Sequence, residues 1–330
     1  MDTIDTMAAC ERGVGPRFSA TVAPEGYIWW YVDAISDDGR FGITLIAQLG
    51  SCFSPYYASA RRRQDSNPLN HNSLNVALYG EVKRWSMTER GPSALHQTPS
   101  RLTIGPSSLL WDGDCLTIRI DEISVPIPRR IRGTVKLYPR TIAGEPYELD
   151  AGGRHRWAPI APGARVDVQL EHPALNWSGH GYLDSNWGDE PLETAFQYWE
   201  WSRAELKDGG TAVLYDAIRR DGQRTELGLR FDPAGGVSRI DIPPHATLPS
   251  TGWGMRRGTR VDAHHAARVA QTLEDTPFYT RSVLSTHLLG EPVTAMHESV
   301  SLDRFSARWV QTLLPFRIPR ASWLGKAGQG

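Results

Sequence analysis

Cysteine is scarce, long apolar runs are missing, and neither sign of charge prevails. Only Cys10, Cys52 and Cys115 occur in 330 residues, an odd count without metal-ligand spacing, so neither a disulfide framework nor a zinc site is indicated. A reducing cytoplasm fits that usage. No stretch approaches the roughly 18 apolar residues that a bilayer crossing needs. The N-terminal Met1-Asp2-Thr3-Ile4-Asp5 places acids where a secretory leader needs basic charge. Lys and Arg number 36 against 37 Asp and Glu, so no excess positive field steers the chain toward nucleic acid. Familiar catalytic motifs are also missing. Gly252-Trp253-Gly254 with Gly258 has the wrong spacing for a dinucleotide loop, there is no Gly-x-Ser-x-Gly elbow, and His297-Glu298 lacks the second histidine of a zinc-protease helix.

What is present is aromatic and turn-forming. The 12 tryptophans are many for a soluble chain, and a buried indole needs both apolar volume and a partner for its N–H. The 31 glycines and 23 prolines favour short segments joined by turns over long helices. Tyr27-Ile28-Trp29-Trp30-Tyr31-Val32 reads as a strand, Asp37-Asp38-Gly39 as a turn, and Phe41 to Ile46 as the returning strand of a hairpin. Further strands are predicted at Ser73 to Tyr79, Trp85 to Glu89, Arg101 to Ile104, Ser108 to Trp111, Cys115 to Ile123, Ile131 to Tyr138 and Ala164 to Leu170. Pro139 to Gly163 reads as a connection, and Trp177 to Gly188 as polar and aromatic residues around a turn ending in glycine. A second β series runs from Phe196 to Leu302, and a terminal helix is predicted from an Asp303 cap through Phe305, Trp309 and Leu313 to Pro315. The expectation is an all-β chain with a loose tail over residues 1–17, an N-terminal domain over 18–190 and a C-terminal domain over 191–330 that ends in a short helix.

In an extended segment, residues two apart share a face, so His180, Tyr182 and Asp184 project together, as do His155 and Trp157. Brought together, they supply an acid, a phenol, an imidazole and an indole wall, a set suited to proton transfer onto an apolar substrate without metal or organic cofactor. Each residue also has a plainer reading. Asp184 before Ser185-Asn186 equally fits an Asx-turn, His155 and His180 fit hydrogen-bonded structural histidines, and Trp157, Trp177 and Trp187 fit core positions.

The run Gly179-His-Gly-Tyr182-Leu-Asp184-Ser-Asn-Trp187-Gly, preceded by His155-Arg-Trp157, resembles the bacterial carotenoid 1,2-hydratases, or hydroxyneurosporene synthases. The likeness extends from Gly26-Tyr-Ile-Trp-Trp-Tyr31 through Phe196-Gln-Tyr-Trp-Glu-Trp201 to Phe316-Arg-Ile-Pro-Arg320. It implies two lipocalin-like β-barrel or β-sandwich domains. It also implies cofactor-free addition of water to the terminal C1–C2 double bond of acyclic carotenes such as neurosporene and lycopene. The family set carried over is Asp184, His155, Tyr182 and Trp157, with Trp157, Tyr182, Trp187 and His180 lining the substrate. Asp184 is expected to be the proton donor, kept protonated by desolvation, while the Trp157 and Tyr182 rings steady a tertiary carbocation, His155 orients the water or takes its proton, and Tyr182 is also able to hydrogen-bond Asp184. The partners implied are the carotene and water. The implied location is the cytoplasm of a photosynthetic bacterium, at the surface of its inner or photosynthetic membrane, with Arg61-Arg62-Arg63 or Val125 to Arg130 as docking segments. Other classes compatible with the same text are a lipocalin-like cyclase of another hydrophobic metabolite and a carotenoid or lipid carrier without catalysis.

Overall fold

The aromatic segment forms strand β1, Tyr27–Ser36, and every second residue of it faces one core. Ile28, Trp30, Val32 and Ala34 join that core, while Tyr27, Trp29, Tyr31 and Asp33 fill the opposite face and are buried as well. A computed structural model describes residues 15–321. Most of the expected tail over 1–17 therefore lies outside the described residues, as does Cys10; Cys52 and Cys115 are buried.

The described residues fall into two compact units. The first runs to Pro191 and resumes at Thr312, and the second spans Leu192–Gln311. Residues Thr312 to Ala321 belong to the first unit because Glu89 N bonds Pro319 O and Ala321 N bonds Glu89 O, with the Arg320 guanidinium 3.1 Å from the Glu89 carboxylate.

In the first unit, β1 is followed by β2 (Gly42–Leu49), β3 (Asn72–Tyr79), β4 (Arg84–Met87), β5 (Leu95–Thr98), β6 (Arg101–Ile104), β7 (Ser107–Trp111) and β8 (Leu116–Ile123). Then come β9 (Arg130–Pro139), the short β10 (Tyr147–Glu148), β11 (His155–His172) and β12 (Leu175–Gly188). They form one antiparallel sheet in the order β4-β3-β2-β1-β12-β11-β9-β8-β7-β6-β5, with β10 on β11. Leu45 and Val76 from one wing share a core with Leu102, Ile118, Val135 and Val166 from the other, so the sheet curls around a single apolar interior. The outer faces of β8 and β9 alternate toward solvent, whereas β1 and β3 are buried along nearly their whole length.

Two segments read from sequence as connection and turn are strand. His155 to Gly163 opens β11, and Trp177 to Gly188 lies within β12, so Asp184 sits on a ladder and not in an Asx-turn. Glycine hides that strand in the text, and the reason is space. A Cβ on Gly179 would stand 2.0 Å from Ile35 O, and one on Gly188 would stand 2.7 Å from His155 Nδ1.

The second unit contains β13 (Phe196–Glu205), β14 (Thr211–Arg219), β15 (Arg224–Phe231), β16 (Val237–Arg239), β17 (His245–Leu248), β18 (Arg257–Arg260), β19 (Arg268–Asp275), β20 (Tyr279–Leu288) and β21 (Glu291–Ser301). Seven of these make a sheet in the order β16-β15-β14-β13-β21-β20-β19, and β17 pairs with β18. The expected terminal helix is present but broken into Leu302–Ser306 and Arg308–Leu313. Its cap is Ser301, whose hydroxyl accepts from Arg304 N, and not Asp303. Leu302 and Phe305 point inward as expected, while Trp309 and Leu313 are exposed because the break at Ala307 turns the second piece.

His297 on β21 is buried, with Nδ1–H donating to Trp201 O at 3.3 Å. Burial pulls this imidazole down to about 3. A depressed histidine leaves the folded state unable to take the proton that the unfolded chain accepts near pH 6.5. The contribution is therefore intact above about pH 6.5 and is lost as pH falls toward 3, at up to about 1.4 kcal/mol per pH unit. His297→Asn keeps a donor for Trp201 O and removes the titration. Denaturant unfolding of wild type and variant between pH 7 and pH 4 is expected to show a shallower acid loss in the variant.

Candidate functional site

Registers of three strands assemble the site. In the β1–β12 ladder Tyr31 stands opposite Asp184 and Asp33 opposite Tyr182; in the β11–β12 ladder Trp157 stands opposite Asn186 and Pro159 opposite Asp184. Residues of even number on β12 therefore share a face with residues of odd number on β1 and with Trp157. That face is the one turned away from the apolar core.

Asp184 is the hub. Trp157 Nε1 donates to its Oδ2 at 2.7 Å, and Tyr182 OH donates to the same oxygen at 2.9 Å. Trp157 and Tyr182 are wholly buried and Asp184 is 4% exposed. An indole N–H can only donate, so this bond reports an oxygen that accepts. With two donors on Oδ2, a proton on this carboxyl has to sit on Oδ1. Burial, with Asp184 and Asp33 close by, pushes the Tyr182 phenol well above its ordinary value, so it remains protonated. The Tyr147 ring lies 5.6 Å from the Trp157 ring and extends the aromatic wall.

His155 belongs to the same face but serves a neighbouring cluster. It stands opposite Gly188, four residues along the ladder from Asp184, or about 13 Å at strand spacing. Its Nδ1 lies 3.0 Å from Tyr27 OH and its Nε2 lies 3.3 Å from Glu190 Oε1. A carboxylate only accepts, so Nε2 carries the hydrogen and Nδ1 accepts from Tyr27. Burial holds the imidazole below its ordinary value, against the opposing pull of Asp150 and Glu190. His155 is therefore a neutral buried residue tying β11 to β1 and to the Glu190 segment.

Two expected lining residues stand elsewhere. His180 shares the face but lies beyond its buried part. Its Nε2 is 3.3 Å from Asp37 Oδ1 and its Nδ1 is 3.3 Å from Arg140 Nη2, in a half-exposed cluster with Arg165. Trp187 has odd parity on β12, so it points the other way, into the core beside Ile28 and Trp30. The period of two that aligned Tyr182 with Asp184 is what excludes it.

Sequence reading missed Tyr31 and Asp33. Tyr31 OH donates to Asp33 Oδ2 at 2.9 Å, Asp33 is fully buried, and the Tyr31 ring meets Tyr182 edge-on at 6.2 Å. A signal was present: Tyr31-Val-Asp33 repeats the Tyr182-Leu-Asp184 spacing. Nothing in the chain's order says that the two pairs become neighbours. Among the described residues no group of three His, Cys, Asp or Glu side chains could hold a metal ion.

Residues 45–326 match the family described as carotenoid hydratase CrtC. The chain is 56% identical to the acyclic carotenoid 1,2-hydratase of Thiocapsa roseopersicina over 319 residues, covering 96% of this chain and 78% of that protein. It is 50% identical to the protein of the same name from Rubrivivax gelatinosus over 309 residues, covering 92% of this chain and 76% of that one. In fold it is similar to the crystal structure of CghA with Sch210972, at a TM-score of 0.57 and 13% identity over 91% of this chain and 96% of that one.

The hub predicts a measurable coupling. Trp157→Phe keeps a ring and deletes the donor to Asp184, and is expected to cost about 1–3 kcal/mol in denaturant unfolding. In an Asp184→Ala background the same change should cost about 1–2 kcal/mol less. Equal costs in both backgrounds would show that the indole acts by packing alone.

Proposed function

The chain belongs to the carotenoid hydratase CrtC family, and we propose that it adds water across the terminal C1–C2 double bond of an acyclic carotene, with Asp184 as the proton donor. The observation that carries this reading is the single buried oxygen, Asp184 Oδ2, held by both Trp157 and Tyr182. An isolated alkene has no carbonyl to polarise, so its activation must begin with a proton delivered to carbon. The acid for that step has to be neutral, dry and fixed. Burial favours the neutral carboxyl, and the two donors on Oδ2 leave Oδ1 to deliver the proton to C2.

Protonation at C2 leaves the positive charge on the more substituted C1. The Trp157 and Tyr182 rings adjoin the carboxyl that has just become negative, and an aromatic face is worth up to about 2 kcal/mol to a desolvated cation. Water then bonds to C1 and loses a proton, giving the tertiary alcohol. His155 supports this arrangement at a distance through Tyr27 and Glu190.

A carotene resides in lipid, and one surface of the first unit suits a bilayer. The tip between β8 and β9 carries Ile127 at 64% exposure between Pro126 and Pro128, followed by Arg129 and Arg130. Trp85 connects this tip to a second apolar point, since its carbonyl accepts from Val125 N and its ring lies under the Arg317 guanidinium, next to Phe316 at 75% exposure. Apolar tips among arginines bind anionic interfaces by insertion together with charge. Arg61 to Arg63 are less suited, because Arg61 already lies over the Tyr57 ring and no exposed apolar residue stands among the three.

Purified protein incubated with neurosporene or lycopene in detergent, without added cofactor, is expected to yield a product heavier by one water in mass spectrometry. Asp184→Asn preserves shape and removes the acid, and should reduce the rate by about 10³-fold or more. Substantial product from that variant would remove Asp184 from the mechanism. Ile127→Asp with Phe316→Asp should lower binding to anionic vesicles and turnover of vesicle-borne carotene. Turnover of detergent-dispersed carotene should be left intact; equal losses in both assays would place docking elsewhere.

A further inference from the structure

The second unit holds a cavity of about 800 Å³ whose lining residues all lie between Gln197 and Arg304, so none of them belongs to the Asp184 face. The face of β13 that carries Ala204 into the apolar core carries Glu200 and Tyr198 to this cavity. The mouths of β-barrels, at this size, are where small-molecule sites are found. The hydration reading gives this one no task.

Arg257 on β18 sets the chemistry of the cavity, with a guanidinium-bearing side chain only 6% exposed. Its Nε donates to Pro249 O at 2.8 Å, and its Nη1 donates to Ser282 Oγ at 2.7 Å and to Thr280 Oγ1 at 3.4 Å, which leaves Nη2 for a ligand. All three partners are neutral. His297 on β21 is neutral too, since burial and the Arg257 charge pull its imidazole down to about 3. Asp275 attracts the guanidinium from beyond ion-pair reach, with its own Oδ2 held by Gly252 N. Arg260 and Arg281 of the same unit differ, for they meet carboxylates at 2.5 and 2.6 Å. A buried cation with no counter-ion is costly, and an anion in the cavity offsets that cost.

The rest of the lining agrees. Arg224, Arg256 and Arg304 also border the cavity. Arg224 lies 3.7 Å from Asp216 Oδ1, Arg304 donates to the Trp253 carbonyl, and Arg256 is exposed. Two acids oppose them. Asp303 is bridged to Arg220 at 2.8 Å. Glu200 Oε1 accepts from Gly258 N and Tyr198 OH, His245 stands 3.7 Å from Glu200 Oε2, and burial pushes this carboxyl up toward its neutral form. Leu248 and Met255 add a buried apolar wall.

We propose that this cavity binds an organic phosphate, with the phosphate on Arg257 and the neighbouring arginines and the apolar body against Leu248 and Met255. Several guanidiniums around one space suit a dianion, and a cavity far larger than a phosphate group leaves room for the rest of the molecule. A soluble phosphate ester and a lipid head group present the same chemistry to these residues.

Hexyl phosphate is the probe, titrated calorimetrically into the full chain with no carotene present, so the result is separate from the hydration reading. One equivalent is expected to bind, at least about tenfold tighter than inorganic phosphate, which lacks the body, or 1-hexanol, which lacks the charge. Arg257→Gln should weaken binding at least about tenfold. Arg257 also ties Pro249 to Ser282, so melting is followed alongside, and Arg256→Glu on an exposed side chain provides a second arm, expected to weaken binding at least about fivefold. Absence of binding to wild type, affinity within about twofold of wild type in both variants, or equal binding of 1-hexanol would each overturn the site. Vesicles then identify the source. Retention of wild type but not Arg257→Gln on phosphatidate vesicles, competed by hexyl phosphate, marks a lipid head group; equal retention of the two proteins, beside the loss seen in calorimetry, marks a soluble ester.

Discussion

Two hydrogen bonds converging on one buried oxygen set the terms for the rest of the first unit. Neither the Trp157 indole nor the Tyr182 phenol can reach water, so each would lose about 1–3 kcal/mol if Asp184 Oδ2 were removed while it stayed buried. The carboxyl, in turn, is tolerable in that setting only because it accepts from both. This mutual dependence locks three rotamers and places two aromatic rings beside an acidic group. It also requires β11 and β12 to approach closely and in one register, because a slip of one residue would exchange the Asp184 face for the apolar one. Gly181 and Gly188, against Val166 and His155, are where the backbone concedes the space.

Dryness explains why these residue types suit alkene chemistry. Water levels acid strength, quenches cations and screens charge, so a carboxyl that must protonate carbon works only where bulk water is excluded. The same exclusion makes aromatic faces useful, since a ring quadrupole competes poorly with hydration at an exposed site and well at a buried one. Water must nevertheless enter as a reactant. The buried face is aromatic around Asp184 and polar around Asp33, Thr44 and Gln48.

The parts of this structure legible in the sequence were those governed by local pattern. The Tyr27 hairpin, with Gly39 at a φ of +70°, and the strands through Tyr138 follow from alternation and turn residues. The pairing of Tyr182 with Asp184, and of both with Trp157, followed from period two and from family likeness. Trp187 and His180 show the limits of that reasoning. The parity that aligns Tyr182 with Asp184 turns Trp187 into the core, and no pattern shows that His180, correct in parity, lies past the buried stretch in an ion cluster with Asp37. Tyr31 and Asp33 were illegible for another reason. They are separated from their partners by about one hundred and fifty residues, and only the closing of β1 against β12 makes them neighbours. The terminal helix failed at its cap because Ser301 and Asp303 are both good N-cap residues and the strand before them decides which is used.

The second unit shows that topology alone does not create such a site. Its strand order β16-β15-β14-β13-β21-β20-β19 repeats β4-β3-β2-β1-β12-β11-β9, with the first long strand of each unit paired to the last. Even the Tyr-x-acid spacing recurs, for Tyr198 OH donates to Glu200 Oε1 at 3.2 Å on β13. Two differences separate the pair. Glu200 has the parity of Ala204 and Leu206, which line the second core, whereas Asp33 faces away from the first core. Across its ladders Glu200 stands opposite Ser299 on β21 and Asp216 on β14, with His297 one step further on the same face, whereas Asp33 stands opposite Tyr182 and Thr44. The distinction is made by which parity of a common sheet receives the acids, a choice of side chain to which the backbone is indifferent.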